Sequence, residues 1–199
     1  DNSIEAQDFF LGSAIAGIVR VPLYARNAIE SHAHMLSHTG CRAVIVAATY
    51  RDEIRQVAPL VATLEHILIR DETYEASLSS CSAVDPMIAI APEDWCIIRH
   101  TGGTTGKAKG VAYSHRSWLA AGRDWFYNFP PMQAGDVCLH VGPISHGSGY
   151  LYTPTWLAGG VNVLLDHFDP EETLQVLQDE QVGYLFVVPA MLSALAHHP

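Results

Sequence analysis

The chain has 199 residues, of which 49% are hydrophobic and 16% charged, so it can bury a core and is not expected to be disordered. Its net charge of −10 argues against nucleic-acid binding, which requires a basic surface. No apolar run approaches the roughly 18 residues that predict a membrane span, and no signal peptide is apparent. The four cysteines form no C-x-x-C pair, so free thiols in the cytoplasm are expected.

The spacing of apolar residues predicts helices and strands that alternate along the chain. An apolar helical face over residues 9–18 and an extended segment over 18–23 come first. Further helices are predicted over residues 27–36 with a stop at Gly40, 54–64 with a break or kink near Pro59, 114–126, 147–157 and 170–178, and from residue 189. Strands are predicted over residues 43–48, 66–70, 95–101, 111–114, 137–141, 161–165 and 184–188. Nearly apolar strands between helices indicate an α/β fold with mainly parallel sheets flanked by helices.

Local signals give the expected starts of three helices and one boundary. Asn27 with Glu30 predicts a capping box, Ser114 predicts a cap, and Asp169 predicts a cap followed by proline. Residues 71–94 are acidic, rich in serine and interrupted by prolines, so a surface loop is expected there. This loop suggests a first α/β lobe over residues 1–92 and a second lobe over 93–199 that carries the segment described next.

The segment after the strand at 95–101 carries the clearest functional pattern. Glycines let the backbone turn N–H groups toward an anion, threonines add hydroxyl donors, and lysines add charge that can follow a polyphosphate. These groups suit a leaving pyrophosphate, whose growing negative charge must meet preplaced donors. They are Thr101, Gly102, Gly103, Thr104, Thr105, Gly106, Lys107, Lys109 and Gly110. We interpret residues 101–110 as a phosphate loop, because their density directly after a buried strand is hard to explain as an ordinary surface turn.

The phosphate loop departs from the P-loop pattern G-x-x-x-x-G-K-S/T at two positions. If Gly106 and Lys107 are the G-K pair, Thr101 stands where the first glycine is required. Ala108 stands where serine or threonine is required. A strand is also predicted after the loop, so no helix N-terminus would face the phosphate. A P-loop NTPase remains an alternative that a helix directly after Lys107 would favour.

The phosphate loop resembles the signature T-S-G-T-T-G-x-P-K-G of the adenylate-forming superfamily, which includes acyl- and aryl-CoA synthetases, luciferases and peptide-synthetase adenylation domains. Gly102 replaces the usual serine and Ala108 the usual proline, which removes a hydroxyl and should loosen the loop. Residues 16–23, 111–115, 143–149 and 184–192 also resemble family segments, in the same order. The resemblance covers nearly the whole chain and implies part of the large N-terminal domain of an acyl-CoA synthetase-like fold.

This resemblance implies an ATP-dependent acyl- or aryl-CoA ligase, similar to fatty-acid–CoA ligases, that activates a carboxylate as acyl-AMP and then forms a thioester. The implied small molecules are the carboxylate, ATP with Mg²⁺, and coenzyme A as the acceptor. His146 matches the family position beside the carboxylate or adenylate pocket, and Gly147 and Gly149 would shape the pocket wall. No complete catalytic set and no metal ligand is expected in this chain, and the resemblance leaves the oligomeric state open.

The chain begins without Met, and it contains no Y-G-x-T-E segment, no ribose-binding Asp motif and no small C-terminal domain with its catalytic Lys. The expectation is therefore a fragment that needs its own C-terminal domain and is inactive alone. A nucleotide-binding module without ligase activity remains the other alternative. His34 and His38 lie four residues apart on a predicted helix, where a solvated face is expected rather than a metal site, because no third ligand is evident.

Overall fold

The computed structural model describes residues 2–101 and 108–199, and helices alternate with strands through both ranges. The helices are α1 (Ile4–Ile15), α2 (Ile29–His38), α3 (Arg51–Val57), α4 (Tyr74–Ser79), α5 (His115–Asn128), α6 (Tyr152–Ala158), α7 (Pro170–Asp179) and α8 (Pro189–Ala196). The strands are β1 (Ala43–Ala47), β2 (His66–Arg70), β3 (Trp95–Thr101), β4 (Lys109–Ser114), β5 (Val137–His140), β6 (Val161–Leu164) and β7 (Tyr184–Leu185). Short 3₁₀ turns lie at Ala48–Tyr50, Ala58–Leu60 and Gly147–Tyr150. None of the helices in these ranges combines the length and the apolar character needed to cross a membrane.

Contacts divide the chain into two compact units that interleave in sequence. The β1 unit comprises Ile15–Ile90 and Trp95–Tyr113, and the β5 unit comprises Asp1–Ala14, Ala91–Asp94 and Ser114–Pro199. The predicted lobes, 1–92 and 93–199, divide the chain only once and stay a prediction.

The β1 unit is built on a parallel pair of strands. β1 runs parallel to β2, with Ala43 opposite His66 and Ala47 opposite Arg70. α3 packs against β1 and α2, and α4 packs against β2. The buried apolar cluster of this unit contains Ala33, Leu36, Val44, Ile54, Val57 and Val61. β3 and β4 are hydrogen-bonded neighbours in a second sheet of this unit.

The β5 unit is built on a three-stranded parallel sheet in the order β6-β5-β7. Val137 lies opposite Val161, and Cys138 lies opposite both Asn162 and Tyr184. α6 packs against β5, β6 and α5, and α7 packs against α8. β1 pairs with β2, and β5 pairs with β6 and β7, in parallel, so the α/β prediction with mainly parallel sheets is confirmed.

Two of the three predicted helix starts are confirmed. Ser114 accepts a hydrogen bond from the Ser117 N–H, and Asp169 accepts one from the Glu172 N–H. The predicted cap at Asn27 is wrong, because α2 starts at Ile29 after Ala28, which makes no side-chain cap bond. The Asn27 amide instead contacts Met35 Sδ at 3.6 Å.

Several predicted elements differ in extent. The helix predicted over 9–18 is α1 (Ile4–Ile15), and of the strand predicted over 184–188 only Tyr184–Leu185 forms β7. The segment 71–94 is not wholly a loop, since it contains α4. The helix predicted over 54–64 begins earlier, at Arg51, and is α-helical only as far as Val57. The predicted break near Pro59 is confirmed, since Pro59 lies in the 3₁₀ turn that follows. The helix predicted over 147–157 is a 3₁₀ turn followed by α6, which ends at Gly159 in a left-handed conformation.

Candidate functional site

The predicted phosphate loop joins β3 to β4 within the β1 unit. Thr101 is the last residue of β3, and Lys109 is the first residue of β4. The predicted binding residues between them, namely Gly102, Gly103, Thr104, Thr105, Gly106 and Lys107, lie outside the described residues. The structure therefore describes this site at the two ends of the loop, Thr101 and Lys109.

The ends of the phosphate loop lie side by side. The Thr101 hydroxyl donates to the Lys109 carbonyl oxygen at 3.5 Å, and both residues are exposed. Lys107 and Lys109 are the only lysines in the sequence, so both lysine side chains belong to this loop. An exposed lysine at this position can present its charge to an anion.

The residue that ends the loop signature, Gly110, is closely surrounded. A Cβ atom on Gly110 would lie 2.9 Å from Ile98 Cγ2 and 3.6 Å from His100 Nε2. A larger side chain would therefore push β4 away from the side chains of β3, which explains why glycine is needed here.

Three histidine rings lie near Ala108 and Gly110, at the C-terminal end of the phosphate loop. His34 Nε2 donates to the Ala108 carbonyl oxygen at 3.1 Å, because a carbonyl can only accept. The His34 ring stacks on His38 with centroids 5.4 Å apart, and His38 lies edge-on to His100 at 5.9 Å. Burial lowers the pKa of His100, and the neighbouring rings of His38 and His34 lower it further. His38 is exposed as expected, whereas His34 is half-buried and bonded.

The structure gives no support to the P-loop alternative. The residue after Lys107 is Ala108, which is in neither helix nor strand, and β4 follows at once. The next helix, α5, starts only at His115. A P-loop presents the N-terminus of a helix to the phosphate, whereas the described residues 108–114 after Lys107 are not helical.

The predicted pocket residues lie in the β5 unit, around the 3₁₀ turn Gly147–Tyr150. His146 directly precedes this turn and its side chain is exposed. Its N–H donates to the Pro143 carbonyl at 2.9 Å, and its carbonyl accepts from the Gly149 N–H at 3.2 Å. The main chain around His146 is thus folded into two consecutive tight turns that leave the imidazole at the surface.

The second pocket residue, Gly147, is packed directly against an aromatic ring. A Cβ atom on Gly147 would lie 2.9 Å from both Cε1 and Cζ of Phe186. Phe186 follows β7 and is 39% exposed. The absence of a side chain at Gly147 lets the ring approach the main chain, so the two residues form one continuous wall.

The structure shows a buried polar group beside this wall that the sequence reading missed. His140 is the last residue of β5 and has no exposed surface. Its ring contacts Ser148 on one side and Asn162 of β6 on the other. A histidine at the end of an otherwise apolar strand was the signal available in the sequence, but its partners are 8 and 22 residues away.

Comparison with curated proteins identifies acyl-CoA ligases as relatives. The chain is 26% identical to the medium/long-chain-fatty-acid–CoA ligase FadD8 of Mycobacterium tuberculosis, over 92% of this chain and 34% of the ligase. It is 29% identical to a feruloyl-CoA synthase of Amycolatopsis sp, over 92% of this chain and 36% of the synthase. The chain thus spans little more than a third of these curated relatives.

Comparison with solved structures gives the same fold. The inhibitor-bound crystal structure of the N-terminal domain of FACL13 from Mycobacterium tuberculosis superposes with a TM-score of 0.93 at 26% identity. The superposition covers 100% of this chain and 50% of that chain. A family model described as AMP-binding enzyme matches residues 1–199. With its fold, its phosphate-loop signature and this match in agreement, the chain belongs to the family of AMP-binding enzymes.

Proposed function

We propose that this chain is part of an AMP-forming ligase that joins a carboxylic acid to the thiol of coenzyme A. The observation that carries the proposal is the phosphate-loop signature between the paired strands β3 and β4, in a chain that the AMP-binding model matches from end to end. Relatives named as fatty-acid and feruloyl ligases support a fatty or aromatic carboxylate as the substrate class.

The proposed reaction has two steps. A carboxylate oxygen attacks the α-phosphorus of ATP, the bond to the β-phosphate breaks, and pyrophosphate leaves with the bonding electrons. The coenzyme A thiol then loses its proton and its sulfur attacks the acyl carbon, the bond from that carbon to the phosphate oxygen breaks, and the thioester and AMP are formed. In the first step negative charge grows on the pyrophosphate, so the role that we assign to Lys109 and the loop is to stabilise that charge.

The carboxylate would lie against the wall around His146, Gly147 and Gly149. Gly147 and Phe186 offer an apolar surface for an acyl or aryl group, since main chain and ring are in direct contact there. ATP and coenzyme A would be the other two substrates, as in such ligases. Mg²⁺ would be bound by the ATP phosphates, with only one or two protein carboxylates as further ligands, as is usual for this ion. The described residues contain no group of three His, Cys, Asp or Glu side chains that could hold a metal, so we assign no magnesium ligand to them.

We propose a reducing compartment, the cytoplasm, for the protein. Cys41, Cys81, Cys96 and Cys138 are all free thiols, which supports this location.

Carboxylate-dependent exchange of radiolabelled pyrophosphate into ATP tests the proposal, with a panel of fatty and aromatic acids and the full-length product of the gene. We expect exchange with at least one acid, and little or none from the 199-residue chain alone. Lys109→Gln should lower the exchange rate about tenfold to a hundredfold, the size expected for the loss of a charged hydrogen bond.

The matched control for Lys109→Gln is Arg116→Gln, which removes an exposed positive charge in the β5 unit, where Arg116 pairs with Glu93. The control should leave exchange unchanged. ATP binding without exchange for any acid would favour a nucleotide-binding module instead. ATP hydrolysis that needs no carboxylate would favour an NTPase.

A further inference from the structure

The buried histidine at the end of β5 is tied to both of its neighbours by its ring nitrogens. His140 Nδ1 lies 3.0 Å from the Ser148 hydroxyl oxygen and 3.1 Å from the Ser148 carbonyl oxygen. His140 Nε2 lies 2.7 Å from Asn162 Oδ1. The ring also packs on Tyr152, with centroids 5.0 Å apart. One side chain therefore connects a sheet strand, β6, to the 3₁₀ turn that holds Ser148.

The groups around the His140 ring indicate which of its two nitrogens carries the hydrogen. Asn162 Oδ1 can only accept, so His140 Nε2 carries the hydrogen and donates. In the neutral ring Nδ1 then has a lone pair, which accepts from the Ser148 hydroxyl. Burial lowers the pKa of His140, although the bonds to Asn162 and Ser148 oppose that shift, so the neutral form dominates at pH about 7. In this tautomer the Ser148 hydroxyl is the hydrogen-bond partner of Nδ1, and the Ser148 carbonyl oxygen at 3.1 Å is a neighbour without a hydrogen bond.

Ser148 lies between the two glycines of the predicted pocket wall. It is 1% exposed, and its carbonyl accepts from the Leu151 N–H at 3.3 Å within the turn. Gly147 directly before it meets the Phe186 ring, and Gly149 directly after it is buried. Because Ser148 is bonded to both neighbours through the main chain, any force that fixes Ser148 also fixes the position of the wall.

The start of the same segment is fixed by another buried side chain. The Asn2 amide nitrogen donates to the carbonyls of Gly142 and Leu165, at 2.8 Å each. The Asn2 amide oxygen accepts from the Ile144 N–H at 2.9 Å. The segment from residue 142 to residue 148 is therefore held at its first residues by Asn2 and at its last by His140.

We propose that His140 is a positioning residue that holds Ser148, and through it the Gly147 and Gly149 wall, in the geometry that receives the carboxylate. This inference rests on the proposed function, since it assigns a substrate to the wall. His140 itself contacts neither substrate nor the reacting atoms, because it has no exposed surface. It acts on carboxylate binding through the turn.

Two conservative substitutions separate the two contacts of the ring. An asparagine amide reaches the place of a histidine Nδ1, and a glutamine amide reaches the place of Nε2. His140→Asn should therefore keep the bond to Ser148, and His140→Gln should keep the bond to Asn162. In the full-length enzyme we expect His140→Gln to raise the KM for the carboxylate about fivefold, the loss of one ordinary hydrogen bond, with kcat and the KM for ATP unchanged. His140→Asn should retain a KM near that of the wild type.

Ser148→Ala and Asn162→Leu complete the test. Ser148→Ala removes the same bond from the other side, so its KM effect should equal that of His140→Gln, and the double variant should show no further rise. Asn162→Leu is the matched control: it should lower stability and leave the carboxylate KM unchanged. The proposal is overturned if both His140 variants and Asn162→Leu raise the KM equally, or if none of them moves it.

Hydrogen exchange separates a failure of this inference from a failure of the proposed function. We expect the peptide that spans Gly149 and Leu151 to exchange at least about fivefold faster in His140→Gln and Ser148→Ala, and at the wild-type rate in His140→Asn. If the wild-type protein catalyses no carboxylate-dependent exchange of pyrophosphate, the proposed function fails and carboxylate positioning fails with it. If the enzyme is active but this peptide exchanges equally in all variants, the proposed function stands and the role of His140 is refuted.

Discussion

Gly147→Ala tests whether the Phe186 ring is packed as closely as the structure places it. The added methyl carbon would lie 2.9 Å from two ring carbons, whereas carbon atoms in good contact are about 3.5–4.0 Å apart. The substitution therefore requires a relative movement of about 0.6 Å or more. The ring is 39% exposed, so it has room to turn outward, but it would lose its contact with the turn.

The expected change in stability is the difference of two opposing effects. Overpacking of this kind costs about 1–3 kcal/mol, and the partial exposure of Phe186 places this case near the lower end. Replacing glycine by alanine at an unstrained position stabilises by about 0.4–1 kcal/mol, because it restricts the unfolded chain. We therefore expect Gly147→Ala to lower the free energy of unfolding by about 1.5 kcal/mol at most.

Phe186→Ala removes the obstructing ring and completes a double-mutant cycle. In that background Gly147→Ala should be neutral or stabilising, so the coupling between the two positions should be about 1–2 kcal/mol. Urea denaturation of the four proteins measures it. Gly142→Ala is the matched control, since a Cβ there meets only Ser148 Cβ at 3.8 Å, and it should be neutral or stabilise by up to about 1 kcal/mol. A coupling below about 0.5 kcal/mol would refute the packing described for this wall.

Two further outcomes follow from groups described above. Burial lowers the pKa of His140 in the folded chain. As the pH drops below about 6.5, this histidine is therefore protonated in the unfolded chain before it is protonated in the folded chain. The free energy of unfolding falls over this range, until the pH reaches the pKa of the folded state. Urea titrations at about pH 7.5 and 5.5 should show a smaller pH-dependent loss in His140→Asn, and an unchanged loss would contradict this assignment. Asp169→Ala removes the acceptor for the Glu172 N–H, which lies 2.9 Å away, and should cost about 1 kcal/mol. The control Asp169→Asn keeps an acceptor and should cost less; equal losses would show that the cap bond is not the cause.

Short sequence patterns correctly predicted the helices and strands that are determined by neighbouring residues in the chain. The run from His66 to Arg70 forms β2 residue for residue, because β-branched and apolar side chains favour a strand. Asp169 followed by Pro170 starts α7 as predicted. Asn27 shows the limit of such signals, because its amide contacts a sulfur atom eight residues away instead of capping the helix.

The environment of the predicted site depends on contacts that no local pattern reports. The phosphate loop was recognisable because its glycines, threonines and lysines are consecutive. His140 was not, because the residues that give it a role lie on β6 and in the following turn. Asn2 is a clearer case still, since its partner Gly142 is 140 residues away. The contact between Gly147 and Phe186 likewise exists only once β7 lies beside β5.

The hydrogen bonds of Asn2 determine when the β5 unit can finish folding during synthesis of the protein. The β5 unit cannot close until Leu165 has left the ribosome, since the Asn2 amide donates to its carbonyl. At about 5–20 residues per second, Asn2 waits for roughly 8–30 s before its last partner emerges. The segments of the β1 unit lie between Asn2 and Leu165 in the chain, so they are all synthesised before the last hydrogen-bond partner of Asn2.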